Sequence, residues 1–206
     1  MNLQNYYWYF QKAVPDRICD EIIRYAKSIK DQMALRIEDP KKLNQEQVKD
    51  LKKKRDSDIV WLTDRWIYRE IHPYIHEANI NAGWNFQWDH SEDCQFTKYN
   101  KGQYYDWHCD GWAGSHNRPN TAYHGKIRKL SVTLSLSDDK EYKGGDFEVD
   151  FRDKEPDRKA NTRIIKEIRP KGSLIVFPGD LWHRIKPVTK GIRYSLVVWS
   201  VGWPFK

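Results

Sequence analysis

Apolar residues in the first part of the chain recur at helical spacing. The segment "DRICDEIIRYAKSI" has an apolar side chain every three or four residues, which predicts an amphipathic helix beginning after a proline. The same spacing predicts a longer helix over roughly 64–80, and a basic helix is predicted over 41–55. Short strands are predicted at 6–11 and 58–62. Residues 1–82 are therefore expected to form a mainly helical support.

The pattern then changes to short apolar runs that are separated by Gly, Pro, Asn or Asp. Nine such runs follow one another in the chain: "WNFQW", "CQFTKY", "YYDWHCD", "RKLSVTLSLS", "GGDFEVDF", "RIIKEIR", "SLIVFP", "HRIKPV" and "IRYSLVVWSV". Short runs with turn residues between them are typical of strands in a sandwich or barrel. We expect one domain over 1–206, in which helices pack outside a β-rich core over 83–206.

Composition and charge exclude few classes of function. The net charge of +7 is compatible with an anionic partner, but much of it lies in "KKLNQEQVKDLKKKR", which is more typical of a solvated helix than of a nucleic-acid contact. No apolar run approaches the roughly 18 residues of a membrane span. The three cysteines lack metal or disulfide spacing, and the N-terminus lacks the pattern of a signal peptide. We therefore expect a cytoplasmic protein without a membrane partner.

The stretch "YNKGQYYDWHCD" (99–110) contains the first candidate metal ligands. Residues two apart in a strand point to the same face, so His108 and Asp110 are expected to project together. His183, which follows a buried-looking strand and a Pro-Gly-Asp turn, is a candidate third ligand. Two imidazoles and one carboxylate that leave coordination positions open are typical of non-haem Fe(II) oxygenases, and zinc is the alternative metal.

Arg193 helps to distinguish these two metals. It lies ten residues after His183, inside the otherwise apolar run "GIRYSLVVW". A buried guanidinium needs an anion, because leaving it unpaired costs several kcal/mol. A dicarboxylate co-substrate of an iron enzyme would supply that anion, whereas a zinc hydrolase has no need of the cation. Iron is therefore favoured, and an internal salt bridge is the alternative explanation for Arg193.

With these residues in place, the sequence resembles the Fe(II)/2-oxoglutarate-dependent dioxygenases, and among them the prolyl 4-hydroxylase type. The family pattern is Tyr-x-x-Gly-x-x-Tyr-x-x-His-x-Asp, a distal His, Lys or Arg ten residues later, and Trp six residues further on. In this chain the pattern is met, in order, by Tyr99, Gly102, Tyr105, His108, Asp110, His183, Arg193 and Trp199. The run "GGDFEV" (144–149) is similar to the Gly-Gly-acidic turn of the family.

The resemblance implies an α+β fold with a double-stranded β-helix, or jelly roll, as its core and N-terminal helices packed outside it. It implies that three residues bind Fe(II), namely His108, Asp110 and His183. It also implies that 2-oxoglutarate chelates the iron, with Arg193 pairing with the distal carboxylate of this co-substrate. Tyr99 is expected to hydrogen-bond the co-substrate, and Ser195, on the same strand face as Arg193, is a further candidate contact. O2 is the second co-substrate, and ascorbate is a candidate reductant.

The resemblance leaves the substrate open. We expect a prolyl residue of a peptide or protein, and another amino acid, a small molecule or nucleic acid is the alternative. Nucleic-acid repair dioxygenases carry a second Arg six residues after the first, where this chain has Trp199, so nucleic acid is disfavoured. A non-catalytic jelly-roll binding module is a second alternative, which the complete ligand set disfavours. The oligomeric state is not indicated by the sequence.

Several residues beside the ligands are candidates for the substrate cleft. These are Trp112, Tyr105 and Trp182, although packing beneath the ligand is an alternative role for Trp182. The loop 111–127 directly follows the His-Asp pair and is a candidate lid. His72 and His76 are spaced as two ligands on one helix face would be, but no further motif supports a metal there, and packing is the expected role.

Overall fold

A computed structural model describes residues 5–29, 53–111, 114–152, 156 and 161–205. The predicted basic helix over 41–55 lies outside the described residues except for its last three positions. Trp112, one of the predicted cleft residues, also lies outside them.

Two long helices lie where the apolar spacing predicts them. Helix α1 (Asp16–Ser28) follows Pro15 and buries Ile18, Cys19, Ile22 and Ala26. Helix α2 (Arg65–Asn81) buries one apolar residue per turn, at Ile67, Ile71, Ile75 and Ala78. Among the described residues, no helix is long and apolar enough to cross a bilayer.

The described residues form fourteen short strands. In chain order these are β1 (Trp8–Phe10), β2 (Arg55–Asp56), β3 (Asp58–Leu62), β4 (His90–Ser91), β5 (Cys94–Tyr99), β6 (Tyr104–His108), β7 (Ile127–Ser135), β8 (Tyr142–Gly144), β9 (Phe147–Asp150), β10 (Thr162–Ile164), β11 (Leu174–Pro178), β12 (Trp182–Ile185), β13 (Val188–Gly191) and β14 (Arg193–Gly202).

The strands form two main antiparallel sheets. The major sheet has the order β1-β11-β7-β14-β5-β3, with β4 also paired to β14, and the minor sheet has the order β10-β9-β12-β6-β2. A separate pair, β13-β8, lies beside them. This arrangement confirms the predicted α+β fold with a jelly-roll core and helices outside it. Three strands, β1 to β3, come from the predicted helical support, so that region extends both sheets as well as supplying helices.

One predicted strand, "WNFQW" (84–88), is irregular instead. Its side chains alternate between buried and exposed, as in a strand, but Asn85 adopts a φ of 52°, which extended backbone does not allow. The Trp84 indole N–H donates to the Asn5 carbonyl at 2.7 Å. The alternation therefore reflects aromatic packing rather than pairing in a sheet.

The two faces of the major sheet differ in character. On the outer face, Phe96, Leu134 and Leu196 belong to one apolar cluster with the buried side chains of both helices. On the inner face, Ser195 of β14 lies between Thr97 of β5 and Ser135 of β7. The inner face meets the minor sheet through a second apolar cluster, which includes Phe147, Phe177 and Ile185. The polar stretch of the inner face is therefore enclosed between the sheets.

Candidate metal centre and co-substrate cavity

The three predicted metal ligands lie together between β6 and β12. His108 and His183 are directly opposite each other in the register of these strands, and their ring centroids are 4.1 Å apart. Asp110 lies two residues beyond the end of β6. Its Oδ1 is 3.9 Å from His108 Nε2, and its Oδ2 is 3.7 Å from His183 Nε2. Asp110 is thus placed by a bend after the strand rather than by the strand face that the spacing predicts.

Backbone carbonyls orient both imidazoles. His108 Nδ1 lies 2.7 Å from the carbonyl oxygen of Asp106, and His183 Nδ1 lies 2.9 Å from that of Leu181. Because a carbonyl can only accept, each Nδ1 carries the proton and donates it. In a neutral imidazole, Nε2 is then left with a free lone pair, which is the form that binds a metal.

Burial and charge favour the metal-binding protonation states. Burial, reinforced by His183, lowers the pKa of His108 well below its usual range. Burial alone would raise the pKa of the Asp110 carboxyl, but His183, His108 and Arg128 together outweigh it and lower the pKa to about 2. His108 is therefore neutral and Asp110 is anionic at neutral pH.

The donor set fits a divalent metal ion. Asp110 Oδ2 is buried and has no hydrogen-bond partner among the described residues. A buried carboxylate oxygen without a partner is costly unless a cation binds it. Within the described residues, His108, Asp110 and His183 are also the one group of side chains close enough to hold a metal, with ligand atoms within 4.8 Å of one another.

A narrow cavity of about 30 Å³ adjoins the three ligands. Besides the ligands it is lined by Gln95, Tyr99, Tyr105, Thr133, Phe147, Ile185, Ser195, Val197 and Trp199. These residues come from the inner face of the major sheet and from the facing strands of the minor sheet. The predicted residues Tyr99, Tyr105 and Ser195 are among them, whereas Trp182 is not.

Arg193 is a buried cation that does not line this cavity itself but contacts two residues that do, Ser195 and Tyr99. It is 2% exposed, and its Nη1 donates to Ser195 Oγ at 3.0 Å. The guanidinium carbon is 5.5 Å from the centre of the Tyr99 ring. No carboxylate of the described residues pairs with Arg193, so the alternative of an internal salt bridge has no partner there. A buried guanidinium in this condition fits an anionic ligand.

The structure explains why the turn before β9 contains two glycines, Gly144 and Gly145. Gly144 and Gly145 both adopt positive φ, 69° and 62°. A Cβ on Gly145 would lie 3.0 Å from Cδ of Arg193, and a Cβ on Gly144 would lie 2.4 Å from the carbonyl oxygen of Pro187. The turn therefore leaves room for the buried arginine, which a larger residue would displace.

Tyr99 is held in its protonated form. Burial raises the pKa of its phenol, against the opposing effect of Arg55 and Arg193. Its hydroxyl can thus donate a hydrogen bond to an anion bound beside Arg193.

Two polar residues of the cavity wall, Gln95 and Thr133, were not predicted. Gln95 and Thr97 alternate with Tyr99 along β5, and Thr133 is opposite Val197 in the register of β7 and β14. The alternation in "CQFTKY" would have indicated Gln95 and Thr97, because every second residue shares a face. Thr133 depends on which strands are neighbours, and the sequence does not show this.

One member of the basic run also reaches the site. Arg55, in β2, is half-buried, and its guanidinium lies 4.6 Å from the centre of the Tyr105 ring. Tyr105 in turn stacks on His108, with 3.5 Å between ring centroids. The expectation that the whole run is solvated is therefore wrong for Arg55, which supports a ring that packs on a predicted ligand.

The remaining predicted residues lie outside the cavity. Trp182 is buried beside His183 in β12 but does not line the cavity. His72 and His76 both pack against Trp88, at 5.3 and 4.6 Å between ring centroids. The part of the candidate lid that is described, 114–126, contacts residues 89–93, and its role as a lid stays a prediction.

Comparison with known families decides the classification. The family model described as "2OG-Fe(II) oxygenase superfamily" matches residues 94–201, just over half of the chain. The matched segment contains all three predicted metal ligands, together with Tyr99 and Arg193. This chain belongs to the 2OG-Fe(II) oxygenase superfamily. The match confirms the predicted family, with Fe(II), 2-oxoglutarate and O2 as the cofactors of that family.

Curated relatives of this oxygenase include bacterial PKHD-type hydroxylases. One from Xanthomonas axonopodis pv. citri is 30% identical over 105 residues, which is 51% of this chain and 42% of the relative. The PKHD-type hydroxylase YbiX of Escherichia coli O157:H7 is 32% identical over 105 residues, which is 50% of this chain and 40% of the relative. The oxygenase chain thus spans well under half the length of these relatives.

Solved structures of similar fold cover nearly the whole oxygenase chain. The viral collagen prolyl hydroxylase of Paramecium bursaria Chlorella virus-1, solved with 2-oxoglutarate, has a TM-score of 0.63 and 21% identity, and 97% of each chain is covered. A prolyl-4-hydroxylase of Pseudomonas putida has a TM-score of 0.59 and 18% identity, covering 96% of this chain and 92% of that one. At these identities the likeness shows a shared fold, which agrees with the jelly-roll core.

Proposed function

We propose that this oxygenase hydroxylates a C–H bond of its substrate while 2-oxoglutarate is decarboxylated to succinate and CO2. The observation that carries the proposal is the buried Arg193, which has no carboxylate partner among the described residues and lies beside the cavity of the metal centre. A metal site alone would fit a zinc hydrolase equally well. A metal site together with a buried anion site fits a chelating dicarboxylate.

In this proposal, Fe(II) is held by His108 Nε2, His183 Nε2 and the Asp110 carboxylate. When bound, it supplies the redox chemistry of O2 reduction and C–H oxidation, which side chains cannot supply. The two imidazoles and the single carboxylate leave coordination positions open for the co-substrate. The carbonyls of Asp106 and Leu181 keep both rings in the metal-binding tautomer.

The inner face of the major sheet would bind the co-substrate. Arg193 presents a planar fork of donors that matches a carboxylate. Because Ser195 accepts a hydrogen bond from Arg193, its own O–H is free to donate to the same carboxylate. The hydroxyls of Tyr99 and Thr133 are further donors on this wall.

The apolar part of the lining would keep water from the reacting groups. Phe147 and Ile185 line the cavity from the minor sheet, and Val197 lines it from the major sheet. Exclusion of water strengthens the attraction between Arg193 and the co-substrate and protects reactive species from side reactions.

We infer that the substrate is a prolyl residue in a peptide or protein. The support is the likeness to prolyl hydroxylases, one of which, from Trichoplax adhaerens, was solved with a hypoxia inducible factor peptide fragment; it has a TM-score of 0.64 and 16% identity, covering 96% of this chain and 84% of that one. Tyr105 is a half-buried aromatic residue of the cavity lining and a candidate substrate contact. Nucleic acid stays disfavoured. The cytoplasmic location, the use of ascorbate and the single domain over 1–206 stay predictions.

Anaerobic titration of the apoprotein with Fe(II), and then with 2-oxoglutarate, tests the chemistry. We expect a weak visible charge-transfer band from chelation of Fe(II) by the 2-oxo acid, and we expect His183→Ala to abolish it. His76→Ala is the matched control, because His76 packs against Trp88 away from the metal centre. Absence of the band in the wild-type protein, together with tight binding of Zn(II), would contradict the proposal.

The substrate class needs a separate experiment. Succinate production and the mass gain of one oxygen atom are measured with proline-containing peptides, with the same peptides carrying alanine, with free proline and with single-stranded oligonucleotides. Hydroxylation confined to the proline-containing peptides is the expected result. Oxygen incorporation into free proline or oligonucleotide alone would exclude a peptide substrate.

A further inference from the structure

Glu92 is a buried carboxylate that joins the metal centre to the loop 114–126. It is 6% exposed and lies between β4 and β5. Its two carboxylate oxygens accept from Arg128, at 2.6 Å from Nε and 2.9 Å from Nη2. Its Oε1 also lies 3.2 Å from His116 Nε2. One carboxylate thus contacts a residue beside the metal centre and a residue of the loop.

Arg128 is held on three sides. Glu92 occupies the Nε–Nη2 edge of its guanidinium, and the ring of Trp199 lies against its face, 3.9 Å from the guanidinium carbon. Its remaining nitrogen, Nη1, lies 4.0 Å from Asp110 Oδ1. With Arg128 held in this way, a positive charge lies beside Oδ1 of Asp110, and Oδ2 has no hydrogen-bond partner among the described residues.

The loop is tied to the same carboxylate at its closed base. The His116 amide donates to the Lys126 carbonyl at 2.8 Å, and the Gly125 amide donates to the His116 carbonyl at 2.9 Å. His116 therefore belongs to the part of the loop where its two ends meet. Its contact with Glu92 places this base at the end of the chain of contacts that starts at Asp110.

The backbone of Glu92 is itself fixed. Its amide donates to the Trp199 carbonyl at 2.9 Å, and its carbonyl accepts from the Tyr68 hydroxyl at 3.0 Å. A carboxylate on such a rigid segment loses little conformational entropy when it holds two partners.

We propose that Glu92 is a positioning residue of the metal centre: it holds Arg128 against Asp110 and holds the loop 114–126 through His116. The inference rests on the proposed function in one respect, namely that His108, Asp110 and His183 bind a metal. Bidentate pairing sets both the place and the orientation of a guanidinium, so the loss of Glu92 would release the group that orients Asp110.

The chain contains a matched control for this arrangement. Glu148 is 5% exposed and accepts from Arg184 Nε at 2.6 Å. Arg184 lies over the ring of Trp107, 4.6 Å from its centre. This is again a buried glutamate paired with an arginine on a tryptophan. Neither Glu148 nor Arg184 lines the metal-centre cavity, so a purely structural effect of losing a buried pair would occur in both places.

Titration of the apoprotein with Co(II), followed by its visible d–d absorption, measures metal binding without turnover. We expect Glu92→Gln to weaken Co(II) binding by about 10-fold or more, as is usual when a residue that orients a metal ligand is lost. Glu148→Gln should bind Co(II) as the wild-type protein does. Thermal unfolding of each apoprotein confirms that the variants are folded at the titration temperature. Equal Co(II) affinity of Glu92→Gln and the wild type would overturn the inference.

Arg128→Gln separates positioning from charge. If Glu92 acted only by attracting the metal, its loss would weaken binding and the loss of Arg128 would strengthen it. If the pair positions Asp110, both single variants bind Co(II) more weakly than the wild type does. The double variant should then bind Co(II) no more weakly than the single variant of lower affinity, because the effects of residues that act as a unit are not additive. Single variants with opposite effects would overturn the inference.

Amide hydrogen exchange over 114–126 tests whether Glu92 holds this loop through His116. Exchange should be faster in Glu92→Gln than in Glu148→Gln, because only the former replaces the carboxylate that pairs with His116 by a neutral amide. Equal exchange rates in the two variants would contradict the claim that Glu92 holds the loop. Failure of the wild-type protein to bind Co(II) at all would instead count against the proposed function.

Discussion

The two faces of the major sheet are built from alternate residues of the same strands but perform opposite tasks. On the outer face, residues such as Leu134 and Val132 are fully buried against the helices. On the inner face, the intervening residues Ser131, Thr133 and Ser135 are almost as fully buried, but they are polar. Burial is therefore similar on both faces, and the difference lies in the chemistry of what is buried.

This difference indicates where the stability of the fold comes from. Burial of an aliphatic side chain stabilises the fold by about 1.5–3 kcal/mol, whereas burial of a polar group without a hydrogen bond destabilises it by about 1–3 kcal/mol. The outer face therefore stabilises the fold. The inner face holds polar groups, some of which bond within the protein, as Ser135 does to the Ile168 carbonyl, and some of which are available to a ligand. Arg193 is the extreme case, a buried charge that costs stability in the apoprotein.

The largest expected effect comes from replacing Arg193, which should weaken 2-oxoglutarate binding while making the apoprotein more stable. We expect Arg193→Met to weaken 2-oxoglutarate binding by about 30-fold or more, since loss of one partner of a buried charge pair costs about 2–5 kcal/mol. The apoprotein should become more stable, by about 1–4 kcal/mol, because an unpaired buried charge is replaced by an apolar chain of similar length. Titration of the Fe(II) complex with 2-oxoglutarate and denaturant unfolding of the apoprotein measure the two effects. Unchanged affinity would show that Arg193 is a structural residue.

The reverse separation is expected on the outer face. Leu134 is 0% exposed and is opposite Leu174 and Leu196 in the sheet register. We expect Leu134→Ala to lower the free energy of unfolding by about 2–5 kcal/mol through the lost contacts and the cavity left behind. The affinity for 2-oxoglutarate should stay at the wild-type value below the unfolding transition. Ile80→Ala, at a position that is 67% exposed, is the control and should change neither quantity.

The sequence predicts these two faces unequally. The predicted metal ligands and Arg193 can be identified because chemically unusual residues occur at the spacing of a known family. Helices α1 and α2 can be identified because their apolar residues keep a helical spacing over many residues. Glu92 cannot be identified in this way. It acquires its role when β4 pairs with β14 and brings it next to Arg128, which is 36 residues away in the chain. Contacts of this kind depend on strand neighbours, which local patterns do not encode.

The buried metal centre should also make the stability of the apoprotein depend on pH. The pKa of His108 in the folded chain is below its ordinary value of 6.5, so the unfolded chain takes up the proton first as the pH falls. Stability is therefore lost below about pH 6.5, by up to about 1.4 kcal/mol per pH unit for this one proton. Denaturant unfolding in the presence of a chelator should show this slope, and His108→Gln should reduce it. An identical slope in that variant would assign the dependence to other groups, such as His72, whose pKa burial also lowers.

The smallest expected effects come from exchanging the chemistry of two neighbouring residues. Thr133 lines the cavity, and Val132 faces the helices. Thr133→Val should weaken 2-oxoglutarate binding by about 1 kcal/mol, the usual net value of one hydrogen bond, without loss of stability. Val132→Thr should leave that affinity unchanged but lower stability by about 1–3 kcal/mol, because a hydroxyl is then buried among apolar side chains. If both substitutions changed the same quantity, the division of labour between the two faces would be wrong, since adjacent residues of one strand would then share a single role.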